Sequence, residues 1–182
     1  VYIRAFSPGG FAMLYDEKDV PTLGVVNELM AEMRAGDHSA NDIRRIIGDK
    51  NIKVSVSVSN YEEGFESATD RKGIEDAFRL MYLRTTAFEP DTTAFNSFIA
   101  ARRNSAAQRQ PSPVQAMGDS IHFIIYSRHP LAAHLGPDDI DKVDLSRAIE
   151  IYKDRFADMA DFTVMVVGDY NPDSLEMCLR RY

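Results

Sequence analysis

The stretch NIKVSVSVSN, residues 51–60, sets the reading of the chain: Val54, Val56 and Val58 alternate with Ser55, Ser57 and Ser59. Alternation with period two puts the valines on one face of a strand and the serines on the other. That pattern marks an antiparallel sheet covered on one side. YEEGFESAT (61–69) is expected as its hairpin partner. Upstream, VYIRAF (1–6) is a second alternating β-rich run. SPGG (7–10) follows as a turn or bulge, where glycine permits positive φ. FAMLY (11–15) is expected to stay extended.

Around these strands the period changes to that of helices. A helix is expected from Pro21, which a first turn tolerates, to about Arg34. DHSANDIRRIIG (37–48) starts another, with Ser39 as N-cap, Asp42 three residues on and Gly48 at the C-terminal cap. From Arg71 to Thr85, residues Ile74, Ala77, Phe78, Met81, Tyr82 and Thr85 follow the i, i+3, i+4, i+7 rule of a core-facing stripe. FEPDTTAFNSFIAARRNSAAQRQ (88–110) gives a long helix stopped by the prolines of PSP. VQAMGDSIHFIIYS (114–127) gives the next and leads into the loop RHPLAAHLGPDD (128–139). VDLSRAIEIYKDRF (143–156) is helical, FTVMVVG (162–168) is expected as a buried strand, and NPDSLEMCLRRY (171–182) closes the chain as a helix. Strands near both ends with helical runs between them predict an α+β fold. Its form is a two-layer sandwich, helices on one face of a mostly antiparallel sheet. No internal repeat, low-complexity segment or linker interrupts residues 1–182, which are expected to form a single domain.

The bulk composition agrees. The 182 residues are 45% hydrophobic and 27% charged, a globular balance. No apolar run reaches the ~20 residues that span a bilayer, and no targeting segment is visible. The sequence opens on a strand already under way, so a fragment of a longer multidomain protein is expected. A formal net charge of −7 argues against nucleic acid, whose phosphates the net field repels. Locally the sign reverses. From Thr92 to Gly118 there is no Asp or Glu, while Arg102, Arg103 and Arg109 lie in that window. The stretch is either a solvated helix face or a basic wall facing an acidic partner or a peptide carboxylate. The single cysteine, Cys178, excludes an internal disulfide and a cysteine metal cluster, and its mid-helix position suits inert packing.

Searching for chemistry yields little. His129 and His134 share a Pro- and Gly-bounded loop, but a metal would need a third ligand, and Asp138 and Asp139 read as the opening of a helix. His122, between Ile121 and Phe123, is expected to be a partly buried histidine, and His38 beside Asp37 and Ser39 belongs to a loop. No nucleophile elbow, P-loop or dinucleotide fingerprint occurs.

Taken in order, the blocks FSPGGFAML (6–14), NIKVSVSVSNYEEGFESATDRKGIEDAFRLMYLRTTAFEPD (51–91), YSRHPLAAH (126–134) and DDIDKVDLSRAIEIYKDRFADMADFTVMVVGDYNPDSLEMCLRRY (138–182) carry a resemblance. They resemble a domain of the insulinase/pitrilysin family of zinc metallopeptidases, the inverzincins, which includes the mitochondrial processing peptidases. The likeness spans nearly the whole chain and is greatest to large bacterial periplasmic-type members. It implies four domains of similar fold in two halves that close around a peptide. It further implies that the domain's first strand is missing before Val1, and that the location is the periplasm or cell envelope of a bacterium. In the family only the first domain carries zinc, on an inverted H-x-x-E-H with a more distant glutamate. Two histidines at i and i+4 grip the metal from one helix face, and the glutamate between them activates the bound water.

Laid on GVVNELMAEMRAG (24–36), the five motif positions fall on Val25, Val26, Asn27, Glu28 and Leu29. Glu28 matches the general-base position, but Val25 and Leu29 stand at the histidine positions. The third ligand is implied near Arg102 and Arg103, where no acid occurs. Helix geometry points the same way: at about 100° per residue, Leu23, Val25, Val26, Leu29, Met30 and Met33 make one apolar stripe and Glu28 falls outside it. The resemblance therefore implies no catalytic residue, no metal ligand and no cofactor in this domain, with zinc in the catalytic domain of the parent.

The expected function is a non-catalytic, substrate-chamber domain of a zinc metalloendopeptidase, from the first domain of the inactive C-terminal half. Its expected partners are the catalytic half of the same polypeptide and a peptide substrate, with no nucleic acid and no membrane. A surface covered in the parent makes homodimerisation of the isolated chain a candidate. The alternative is a stand-alone inactive homologue serving as binding or scaffolding partner of a separate active subunit. A third reading is an unrelated α+β ligand-binding domain.

Overall fold

A four-stranded antiparallel sheet in the order β3-β4-β1-β6 carries the molecule: β1 (Tyr2–Pro8), β3 (Lys53–Val58), β4 (Glu62–Ala68) and β6 (Thr163–Val167). It is seen in a computed structural model that describes residues 1–48 and 50–182. The alternation in 51–60 sets the register. Val56 lies opposite Phe65, Phe65 opposite Ala5, and Ala5 opposite Val164. The next row runs Val54, Ser67, Ile3, Val166. These rows face the helices. On the other face Arg4 pairs with Glu62 at 2.6 Å and lies over the Phe6 ring, an open, polar surface.

The helical layer comprises α1 (Val20–Leu23), α2 (Val26–Glu32), α3 (Ala40–Gly48), α4 (Ile74–Thr86), α5 (Thr92–Gln108), α7 (Pro137–Ile140), α8 (Leu145–Arg155) and α9 (Pro172–Arg181), with α6 (Pro113–Ile125) standing apart from it. Two short strands, β2 (Arg34–Ala35) and β5 (Phe88–Glu89), pair antiparallel beside it. The core between the layers joins Ile3, Val58 and Phe65 from the sheet to Leu29 and Met33, Phe78 and Met81, and Ile151 and Tyr152. Phe156, just past α8, stacks at 5.0 Å on Phe65 and 4.9 Å on Tyr152. Side chains cap the helices as their sequences require: Ser39 and Asp42 reciprocally on α3, Asp91 on α5, Ser112 with Gln115 on α6, and Asn171 on α9.

Among the described residues two carboxylates are buried, and both are paired. Glu63 is buried on the inner face of β4, where it accepts from the Gly10 N–H at 2.5 Å and faces Arg155 at 3.9 Å. Buried Asp19 accepts from Arg147 at 2.8 Å, tying the entry of α1 to α8.

Six expectations need correction, one of them at residues 88–110, where Phe88 and Glu89 form β5 and the helix begins only at Thr92. FAMLY does not stay extended: Gly10 at φ 68° turns the chain, and Phe11–Met13 forms a 3-10 turn that buries Phe11. The helix expected from Pro21 to about Arg34 is two helices broken at Gly24 and Val25, and it ends at Glu32 so that Arg34 and Ala35 can pair with β5. Tyr82 is not core; it stands exposed, its ring 5.9 Å from that of Tyr182. The strand expected as buried, β6, is an edge strand: among the described residues it pairs only with β1, and Val167 is 63% exposed. Finally, α6 lies outside the packed layer. Val114, Met117, Ile121, Ile124 and Ile125 are all exposed, and His122, expected partly buried, is exposed against the Tyr126 ring.

Candidate functional site

The segment that carries the motif positions builds one wall of the site. Val25 and Leu29 are buried to 1% and 0% exposure, together with Leu23, Val26, Met30 and Met33. The apolar stripe expected from the sequence is therefore the face that α1 and α2 bury. Asn27 uses its whole amide on one residue: Nδ2 donates to the Val58 carbonyl at 2.9 Å, and Oδ1 accepts from the Val58 N–H at 2.8 Å. Glu28 faces outward, and there it meets Arg102 of α5, Nη1 to Oε2 at 3.3 Å.

Arg102 starts a stripe on α5. Arg102, Ser105, Ala106 and Arg109, spaced i, i+3, i+4 and i+7, line one side of a cleft of about 540 Å³. Val20 and Gly24 line it from the α1 segment, Pro130 to Leu135 from the following loop, and Ile140 from α7. Gly24 lets the loop approach closely: a Cβ at that position would stand 2.7 Å from Leu135 Cδ1 and would push that side-chain end aside. At the far end Arg109 Nη2 donates to Asp119 Oδ2 at 2.5 Å. His134 Nε2 lies 2.8 Å from Asp119 Oδ1 and 3.1 Å from Arg109 Nη2, so it donates to the carboxylate in one tautomer and accepts from the guanidinium in the other. The hydrogen bonds from Arg109, then from His134, hold the Asp119 carboxyl below the usual carboxylate range.

The structure divides the sequence candidates. Arg102 and Arg109 enter the cleft with His134, whereas Arg103 turns away to Asp141 at 3.0 Å. His129 does not join His134: its Nδ1 accepts from the Leu131 N–H and its ring rests 4.7 Å from Tyr15. Asp138 and Asp139 open α7. Cys178 is buried in α9, where burial raises its thiol pKa. Among the described residues no group of three or more His, Cys, Asp or Glu converges as a metal would require. Sequence reasoning missed Asn27 and Asp119. The one signal for Asp119 was its place as the first acid after the acid-free window.

The fold is shared with domains of several solved proteases. It superposes on the periplasmic protease PqqL from Escherichia coli with a TM-score of 0.76 at 18% identity, over 100% of this chain and 20% of that one. A protease from Helicobacter pylori gives 0.73 at 13% identity, over 99% of this chain and 43% of that one. The peptidase M16 inactive domain from Pseudomonas fluorescens gives 0.73 at 11%, over 97% and 43%. The chain thus spans between a fifth and somewhat under half of these solved structures. No protein-family model and no curated protein matches the sequence.

Proposed function

We propose that this chain is a non-catalytic domain of a larger zinc metalloendopeptidase, one that helps enclose the substrate chamber while another domain cleaves the peptide. One observation carries the reading: the segment in the place of the metal motif offers hydrocarbon where the metal needs nitrogen. Val25 and Leu29 are packed in the core, and the α5 residue that meets Glu28 is a guanidinium. An arginine beside the remaining carboxylate repels a dication and competes for its only oxygen ligand. The residues present therefore do not fit zinc.

The unpartnered α6 supports a longer parent. Its exposed valine, methionine and isoleucines form an apolar face, and this chain spans only 20% and 43% of two solved structures that share its fold. We assign that face to docking on the remainder of the same polypeptide, and expect the isolated chain to self-associate through it as a homodimer. Likeness to a periplasmic protease supports a bacterial periplasmic or envelope location. No helix among the described residues is long and apolar enough to cross a membrane.

The test is to purify the chain and measure bound zinc together with turnover of an unstructured peptide. Neither stoichiometric zinc nor turnover is expected, and either one overturns the reading. A second reading, a stand-alone inactive partner of a separate active subunit, gains support from the solved structures of which this chain covers 43%. The parent gene separates the two. An H-x-x-E-H upstream on the same chain favours the first, and its absence favours the second.

A further inference from the structure

We propose that the cleft between α5, Gly24 and the Pro130–Leu135 loop binds the carboxylate of an extended peptide, with Arg109 as its anchor. The inference deepens the chamber role but rests on the cleft's own donors, so it can stand or fall separately from the zinc measurement.

The first argument is donor supply. A guanidinium has five N–H donors and can take a carboxylate with two parallel bonds. Arg109 spends Nη2 on Asp119 and His134, and among the described residues its Nε and Nη1 have no protein acceptor. Arg102, about two helical turns earlier on the same stripe, meets Glu28 through Nη1 at 3.3 Å. Asp119 also fixes where Arg109 points, so less side-chain freedom is lost when a ligand arrives.

The second argument is the mixed lining. The formal charges nearly cancel, Arg102 against Glu28 and Arg109 against Asp119, so a bare anion gains little from the net field. What the cleft adds is an apolar floor of Val20, Leu131, Leu135 and Ile140 beside the free donors. A ligand that uses both halves carries a carboxylate next to a hydrocarbon side chain. A peptide with an aliphatic C-terminal residue has that form, and so has a chain with an internal glutamate beside an aliphatic residue. The volume of about 540 Å³ admits two or three residues and little more.

The test is an NMR titration of the full chain with three probes. These are N-acetyl-Ala-Ala-Leu as the free acid, the same peptide as its C-terminal amide, and a peptide capped at both ends with one internal glutamate. The acid is expected to shift the Leu131 and Leu135 methyls, and amidation to weaken binding about tenfold or more, the loss of a charge-assisted pair. Arg109→Gln should abolish the shifts with an otherwise unchanged spectrum, and Arg103→Gln, which lies outside the cleft, should keep them. Equal binding of acid and amide, no shifts with any probe, or full binding by Arg109→Gln overturns the proposal. Binding of the glutamyl peptide supports the carboxylate site and assigns side chains as a source. Its failure while the acid binds supports the site and assigns chain termini.

Discussion

Asn27 holds the backbone of Val58 with both ends of its amide, at 2.9 and 2.8 Å. Val58 ends an edge strand, so no neighbouring strand satisfies that N–H and carbonyl, and a side chain from α2 does so instead. The contact also anchors α2 to the sheet at the start of the segment that carries the motif positions. Asn27→Ala leaves two backbone groups unpaired at a residue with 1% exposure, and should cost about 1–3 kcal/mol. Urea unfolding measures this; a midpoint within error of the wild type would refute the anchoring role.

Neighbours on one helix should behave oppositely. Leu29 is sealed in the core, so Leu29→Ala should destabilise by about 2–5 kcal/mol. Glu28 pairs at 3.3 Å with Arg102 in solvent, so Glu28→Ala should change stability by no more than about 1 kcal/mol. A large loss at Glu28 would contradict its assignment as a solvated ion pair.

Gly10 takes φ 68°, and a Cβ there would stand 2.5 Å from the Ser59 carbonyl oxygen. Backbone strain and a clash with backbone act together, so Gly10→Ala should lose about 2–3 kcal/mol. Gly24→Ala meets chiefly the end of the Leu135 side chain, with the Val20 carbonyl oxygen at 3.3 Å, and should cost less. Thermal unfolding of the two variants side by side checks the order.

Tyr152 supplies a pH signature. Its phenol is buried in the core and donates to the Arg84 carbonyl at 3.0 Å, and burial raises its pKa. In the unfolded chain the phenol ionises near its usual value of about 10, while in the folded chain it stays protonated to higher pH. The stability it contributes is therefore whole below about pH 10 and falls above it, by about 1.4 kcal/mol per pH unit. Tyr152→Phe should be less stable at neutral pH and should lack this component of the alkaline slope. Parallel slopes for the two proteins above pH 10 would contradict the burial account.

The apolar face of α6 predicts a mass that rises with protein concentration in light scattering. Ile121→Lys combined with Ile125→Lys should hold the chain monomeric with unchanged helix content, since both side chains are exposed and touch no core. A wild-type chain that is monomeric throughout would remove self-association through this face.

Where local pattern controls structure, the sequence was readable. The valine–serine alternation placed β3, and the stripe from Leu23 to Met33 is buried residue for residue. Ser39 and Asp42 cap α3 reciprocally, and Asn171 caps α9, where the sequence puts them. What escaped depends on distant partners. The break at Gly24 and Val25 sits where Leu135 approaches and where Asn27 reaches Val58, contacts no short window contains. An apolar run such as FTVMVVG reads alike in the middle of a sheet and at its edge, so the exposure of β6 was hidden. Arg102 and Glu28 were each noted, but only folding joins them. On α6 the helix was legible, but its exposure, His122 included, was not.

The sheet order has a consequence for how the chain reaches its native state. β1 lies between β4 and β6, so its two ladders close loops of very different size: Tyr2 pairs with Ala68 on one side and with Val167 on the other. The hairpin of β3 and β4 can form locally and recruit β1 early. The second ladder must wait for a segment from the opposite end of the sequence, against a larger loop-closure entropy. During synthesis β1 would emerge before both of its partners and remain half-paired until β6 had left the ribosome, so the domain's exposure to misassembly is set by its translation time.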